Sequence, residues 1–130
     1  MLRAAIGGSR PDAALHYALG LTLTREKRPD DALAEFHTAT ELEPDRSRYA
    51  YVYAVALHSL GRVDESIKAL KDNLGRHAND RDTLVALVTF NRDAGEIGAA
   101  LDYAERLSRI APNDRDIAGL TAELRARLQR

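Results

Sequence analysis

Residues 19–44 read LGLTLTREKRPDDALAEFHTATELEP, and the landmarks of this stretch return along the chain at a period of about 34 residues. Gly61 and Gly95 lie one period apart, Pro44 and Pro112 two periods apart. Asn79-Asp80-Arg81-Asp82 reappears one period on as Asn113-Asp114-Arg115-Asp116. A fixed period of this size means stacked repeats, each too small to bury its own apolar stripe. Aligned from Ala13, Ser47 and Arg81, every repeat offers a helix, a short turn, a second helix and a closing turn.

Small residues recur where the two helices of a repeat would cross: Gly20 with Ala32, Ala54 with Ser66, and Ala100 in the third repeat. Small side chains permit the close axial approach that ridge-and-groove packing needs. Larger residues form two series, Leu19, Tyr53 and Leu87, and Leu33, Ile67 and Leu101, which are expected to present each repeat to its neighbour.

These residues resemble the tetratricopeptide repeat (TPR) family, whose signature sets a large residue, Leu-Gly, Tyr, Ala, Phe, Ala and Pro at fixed offsets. The first repeat carries Leu19-Gly20, Leu23 in place of the tyrosine, Ala32, Phe36, Ala39 and Pro44, with His16 where the tryptophan would stand. The second reads Tyr53-Ala54, Leu57, Ser66, Leu70, Asn73 and Ala78. The third reads Leu87-Val88, Asn91, Ala100, Ala104, Leu107 and Pro112, of which Asn91 and Leu107 depart from the pattern. The resemblance implies an all-α fold: an α-solenoid of antiparallel helix pairs, wound as a right-handed superhelix of about seven helices. Its repeats would occupy residues 13–46, 47–80 and 81–114, followed by a capping helix at 115–130.

Local signals place the helix ends. Asp12 reads as an N-cap for a first helix reaching Arg25, and Pro29 opens its partner, with Asp30 and Asp31 at the positive end of the dipole. A helix from Ser47 stops at Gly61, and Asp64 opens one that ends near Arg76. Gly95 and Pro112 bound the third pair, whose second helix should reach about Ile110. In the last segment Ile117, Leu120, Leu124 and Leu128 recur at helical spacing and would cover the final repeat, while Glu123, Arg125, Arg127 and Arg130 face water. Residues 1–12 contain Gly7-Gly8-Ser9 and place Leu2 and Ala5 at the offsets of Phe36 and Ala39. They read as a flexible segment or the remnant of a preceding repeat, and the chain as one excised from a longer protein.

The composition sets bounds on function. The chain has 130 residues, 45% apolar and 30% charged, which describes a folded protein. A formal net charge of −1 gives no overall attraction to nucleic acid or anionic membranes. No apolar run approaches the roughly 20 residues of a membrane span. There is no cysteine, which removes disulfides and thiolate metal sites and leaves the compartment open. His16, His37, His58 and His77 show no metal-binding spacing, and no phosphate loop, dinucleotide fingerprint or nucleophile elbow occurs. Carboxylate pairs such as Asp30-Asp31 and Asp64-Glu65 are explained by helix starts. No enzyme activity, metal or cofactor is expected.

What remains is surface. The resemblance implies that the first helix of each repeat lines a concave groove. The residues at its positions are Ala14, Tyr17, Ala18, Leu21, Thr24 and Arg25, then Arg48, Tyr51, Val52, Val55, His58 and Ser59, then Asp82, Val85, Ala86, Thr89, Arg92 and Asp93. The candidate peptide-binding residues are Tyr17, Leu21, Arg25, Arg48, Tyr51, Val52, Val55, His58, Val85, Thr89 and Arg92. Tyr17, Leu21, Val52, Asp82 and Ala86 stand where chaperone-binding members set a two-carboxylate clamp of lysine, arginine and asparagine, so that clamp is absent. The expected function is a scaffold that binds an apolar peptide or an amphipathic helix of a protein partner. Self-association through the same groove is the alternative. Nucleic-acid binding through Arg106, Arg109, Arg125, Arg127 and Arg130 is least favoured, because Glu105 and Glu123 interrupt that set.

Overall fold

A computed structural model describes residues 11–130, so the expectations for residues 1–10 lie outside the described residues. Seven α-helices follow in order: α1 Pro11–Arg25, α2 Pro29–Leu42, α3 Ser47–Ser59, α4 Val63–Arg76, α5 Arg81–Asp93, α6 Ile97–Ile110 and α7 Arg115–Leu128. They fall into two compact units, one ending at Arg76 and the other spanning His77–Arg130. In the first, α1 packs on α2, α2 on α3 and α3 on α4; in the second, α5 packs on α6 and α6 on α7. The architecture is all-α, as expected.

The turn inside each pair is the same object three times. Lys27, Gly61 and Gly95 stand at equivalent places and all take positive φ, 61°, 80° and 84°. Their amides donate to Thr24, His58 and Arg92 carbonyls at 3.1, 3.0 and 3.0 Å. The next residues, Arg28, Arg62 and Glu96, donate to the carbonyls of Leu23, Leu57 and Asn91 at 2.9, 3.0 and 2.8 Å. Two of the three places hold glycine, which has no Cβ to clash in the left-handed region, and Lys27 meets the same geometry at a cost. Helix starts differ more. Pro29 occupies the first turn of α2, where its missing N–H costs nothing. Asp80 caps α5 by accepting from the Thr83 amide, and Asp114 caps α7 by accepting from the amides of Asp116 and Ile117 at 2.9 and 3.1 Å. The repeated tetrapeptide is therefore a helix N-cap used twice. Asp12, expected as a cap, lies inside the first turn of α1, which begins at Pro11.

Helix crossings explain the small residues. Gly20 faces the ring of Phe36, where an added Cβ would sit 2.5 Å from Cε1. The equivalent pairs are Ala54 with Leu70 and Val88 with Ala104, all buried. Size is thus traded across the crossing: as the first residue grows, its partner shrinks. Ser66, small at the second crossing, donates its hydroxyl to the Ala54 carbonyl at 2.7 Å, so its burial leaves no orphaned donor. The two departures of the third pair are absorbed the same way, since buried Asn91 donates to the Leu87 carbonyl at 2.8 Å and Leu107 is buried. Asn73 donates to the Ser47 hydroxyl at 3.1 Å and ties α4 to the start of α3.

Two apolar expectations need correction. Leu19 was expected to share a packing role with Tyr53 and Leu87, yet it is 47% exposed, with Leu15 beside it at 66%. The reason is positional, because no helix among the described residues precedes α1 as α2 precedes α3. In α7, Ile117 and Leu124 are buried and Leu120 is half-buried, but Leu128 is 52% exposed in the last turn. The cap instead gains buried Thr121, whose hydroxyl donates to the Ile117 carbonyl at 2.8 Å and lies 3.2 Å from that of Ser108.

Two stability changes are expected. Lys27→Gly should stabilise by about 0.5–1 kcal/mol, the relief of left-handed strain less the extra entropy glycine loses on folding. A lower denaturation midpoint in urea would contradict this. Gly20→Ala should destabilise, because overpacking costs about 1–3 kcal/mol against a helix-propensity gain of about 1. Adding Phe36→Leu should restore part of the loss in a double-mutant cycle, and simple additivity of the two would show that they do not meet.

Candidate functional site

α1 and α3 in the first unit, and α5 in the second, carry the candidate residues. In the first unit Tyr17 does two jobs. Its ring lies 4.8 Å from Tyr49 and 5.9 Å from Phe36, centroid to centroid, and it packs against the buried cluster of Leu23, Ala32 and Phe36. The Tyr17 ring is therefore partly committed to packing. Val52 leans on the same cluster and is also half-buried. Leu21 is 36% exposed, and Tyr51 and Val55 are half-buried in α3. The guanidinium of Arg48 sits over the Tyr51 ring, 5.6 Å from its centroid, which holds both at the N-terminal end of α3. Arg25 is exposed at the end of α1 and donates to the Thr22 hydroxyl at 3.3 Å. His58 is half-buried in the last turn of α3.

In the second unit Val85 is 43% exposed on α5, with Thr89 and Arg92 half-buried along the same helix. Arg92 lies 3.5 Å from Asp93. Ala86, at another expected groove position, is buried and serves packing. Each unit thus exposes one large apolar residue from this set, Leu21 or Val85, where most apolar side chains are covered.

The polar features outside this set have structural explanations. Asp114 accepts from Ile117, Asp116 and Arg81, the last at 2.6 Å, and these bonds hold its carboxyl below the ordinary 3.8. The Glu65 carboxyl is likewise lowered by the Arg62 guanidinium, which reaches both its oxygens at 2.8 Å. Burial pushes the Tyr53 hydroxyl up, against the opposing pull of Arg62. On the α2 and α4 side of the first unit, a cavity of about 270 Å³ lies among His37, Thr40, Tyr53, Ala69 and Arg76. The His37 and Tyr53 rings stand 5.2 Å apart at its edge. Sequence reading placed Tyr53 only as a packing residue, and nothing in its spacing marked the histidine beside it. Among the described residues no group of three or more His, Cys, Asp or Glu stands together as metal ligands, and no helix is long and apolar enough to cross a membrane.

The tetratricopeptide repeat family model matches residues 17–81. No curated protein matches the chain. Among solved structures, the first TPR of Spaghetti (RPAP3), bound to an HSP90 peptide, is 12% identical with a TM-score of 0.79, covering 92% of this chain and 94% of that one. The type III secretion chaperone SycD of Yersinia enterocolitica, in complex with a peptide of the translocator YopD, is 12% identical with a TM-score of 0.77, covering 88% and 92%. A tetratricopeptide repeat protein from Parabacteroides merdae is 15% identical with a TM-score of 0.82, covering 91% of this chain and 47% of that one. At these identities the likeness speaks for the fold. Together with the turn and crossing geometry and the family match over half its length, it shows that the chain belongs to the tetratricopeptide repeat family, generally a non-enzymatic protein-interaction fold.

Proposed function

We propose that the chain binds a protein partner through the surface of its first helices, taking an apolar peptide or an amphipathic helix. The observation that carries this reading is the exposure of Leu21 on α1 and the partial exposure of Tyr51, Val52 and Val55 on α3, with Val85 exposed on α5 in the other unit. A contiguous apolar patch left open on a folded domain marks a contact surface, and an aromatic residue such as Tyr51 is the usual kind of anchor. That Spaghetti and SycD hold peptides on the same fold supports the reading. Replacing Tyr51→Arg together with Val55→Arg should abolish partner capture from the source cell while leaving helicity and the melting temperature close to wild type. Undiminished capture would move the contact to the α2 and α4 side.

Self-association is a second reading, favoured by the exposed pair Leu15 and Leu19, one helical turn apart on α1. Light scattering over a wide range of concentration should then show a rising mass that Leu15→Glu suppresses. A constant monomer mass would remove this reading and leave the first intact.

A further inference from the structure

In the unit ending at Arg76, charge is divided between helices. α3 contains no aspartate or glutamate, and α1 contains only Asp12, in its first turn. Their cationic residues are Arg25 and Arg48. α2 is the reverse, with Asp30, Asp31, Glu35 and Glu41 and no lysine or arginine. Its carboxylates already have neighbours: Asp31 lies 2.7 Å from Arg28, Glu35 2.6 Å from His16 and Glu41 3.6 Å from His37. Arg25 makes no ion pair among the described residues, its nearest polar partner being the Thr22 hydroxyl.

The positions of the cations give this division a length. α1 and α3 each pack against α2 and run in the same direction, and Tyr17 meets Tyr49 with ring centroids 4.8 Å apart. Counting forward equally from that contact brings Arg25 level with the last turn of α3, where His58 stands, while Arg48 lies at the opposite end. At 1.5 Å per residue the two ends are about 15 Å apart. Between them lie Leu21, Tyr51, Val52 and Val55. The surface is an apolar strip with a cation at each end and no carboxylate at any of its expected groove positions.

From this we infer that the occupant is an amphipathic helix of about ten residues, apolar along one face and carrying glutamate or aspartate at both ends. The inference rests on the binding surface proposed above. It differs from recognition of a terminal carboxylate, because the charges read are side chains flanking an apolar centre. Exposed ion pairs are individually weak, so the expected preference is modest and sensitive to salt.

The test uses the full chain and three synthetic peptides that share one leucine-faced, helix-forming core of about ten residues and differ only in glutamate, glutamine or lysine ends. Fluorescence anisotropy should show the glutamate-ended peptide binding roughly five- to tenfold tighter than the glutamine-ended one at low salt, with lysine ends weakest. The preference should shrink at high salt and disappear in the Arg25→Gln, Arg48→Gln double variant, whose melting temperature should match wild type. Equal binding of all three peptides, lost in the Tyr51→Arg, Val55→Arg variant, would overturn the charge inference and leave the apolar surface standing. A glutamate preference that survives in Arg25→Gln, Arg48→Gln would overturn it too. Binding that ignores Tyr51→Arg, Val55→Arg, or no binding of any peptide, would overturn both.

Discussion

Each helix pair depends on one residue held in the left-handed backbone region between its two helices, Lys27, Gly61 or Gly95. The same two backbone hydrogen bonds close each turn, so the second helix leaves each turn in the same register. Register then dictates which side chains meet. Gly20 lies against Phe36, and because equal turns repeat equal offsets, the places one and two periods on are held by Ala54 with Leu70 and by Val88 with Ala104, all buried. The candidate surface comes last in this order, since a first helix can leave Leu21 or Tyr51 open only when its other sides are occupied by packing.

Polar residues enter the interior where they can be satisfied locally. Ser66, Asn73, Asn91 and Thr121 are buried, and each donates to a carbonyl or hydroxyl of its own or a neighbouring helix. A buried donor without such a partner would cost about 1–3 kcal/mol. The family pattern can therefore be degenerate in residue type while the pairs stay packed. What these sites share is a side-chain donor with a nearby acceptor, and residue identity is secondary.

Much of the fold was legible because its period is marked by residues with special backbones. Gly61, Gly95, Pro29 and Pro112 announce turns and helix starts through their own chemistry. Lys27 could not be read this way, since a lysine says nothing about its φ. The repeated Asn-Asp-Arg-Asp was visible as a repetition, but its purpose as an N-cap appears only with the amides of Thr83, Asp116 and Ile117 placed beside it. The candidate surface was less legible. Periodicity groups Leu19 with Tyr53 and Leu87 without telling whether a neighbour lies over it, and it cannot divide Tyr17 between packing and surface. The charge division of the first unit was present in the composition of single helices, yet it gains meaning only when α1 and α3 are known to share a side.

The trade of size across the crossings bears on how the chain finds its fold. Three similar hairpins in one polypeptide invite wrong partnerships while folding, since any first helix offers an apolar stripe to any second helix. Against Phe36, Ala54 or Val88 would overfill the crossing, while Gly20 against Leu70 or Ala104 would leave a void. Each mismatch costs on the order of 1 kcal/mol or more. Every second helix thus carries a mark of its rightful partner, and the sequence divergence among the repeats acts as an address that steers each helix away from the others' places.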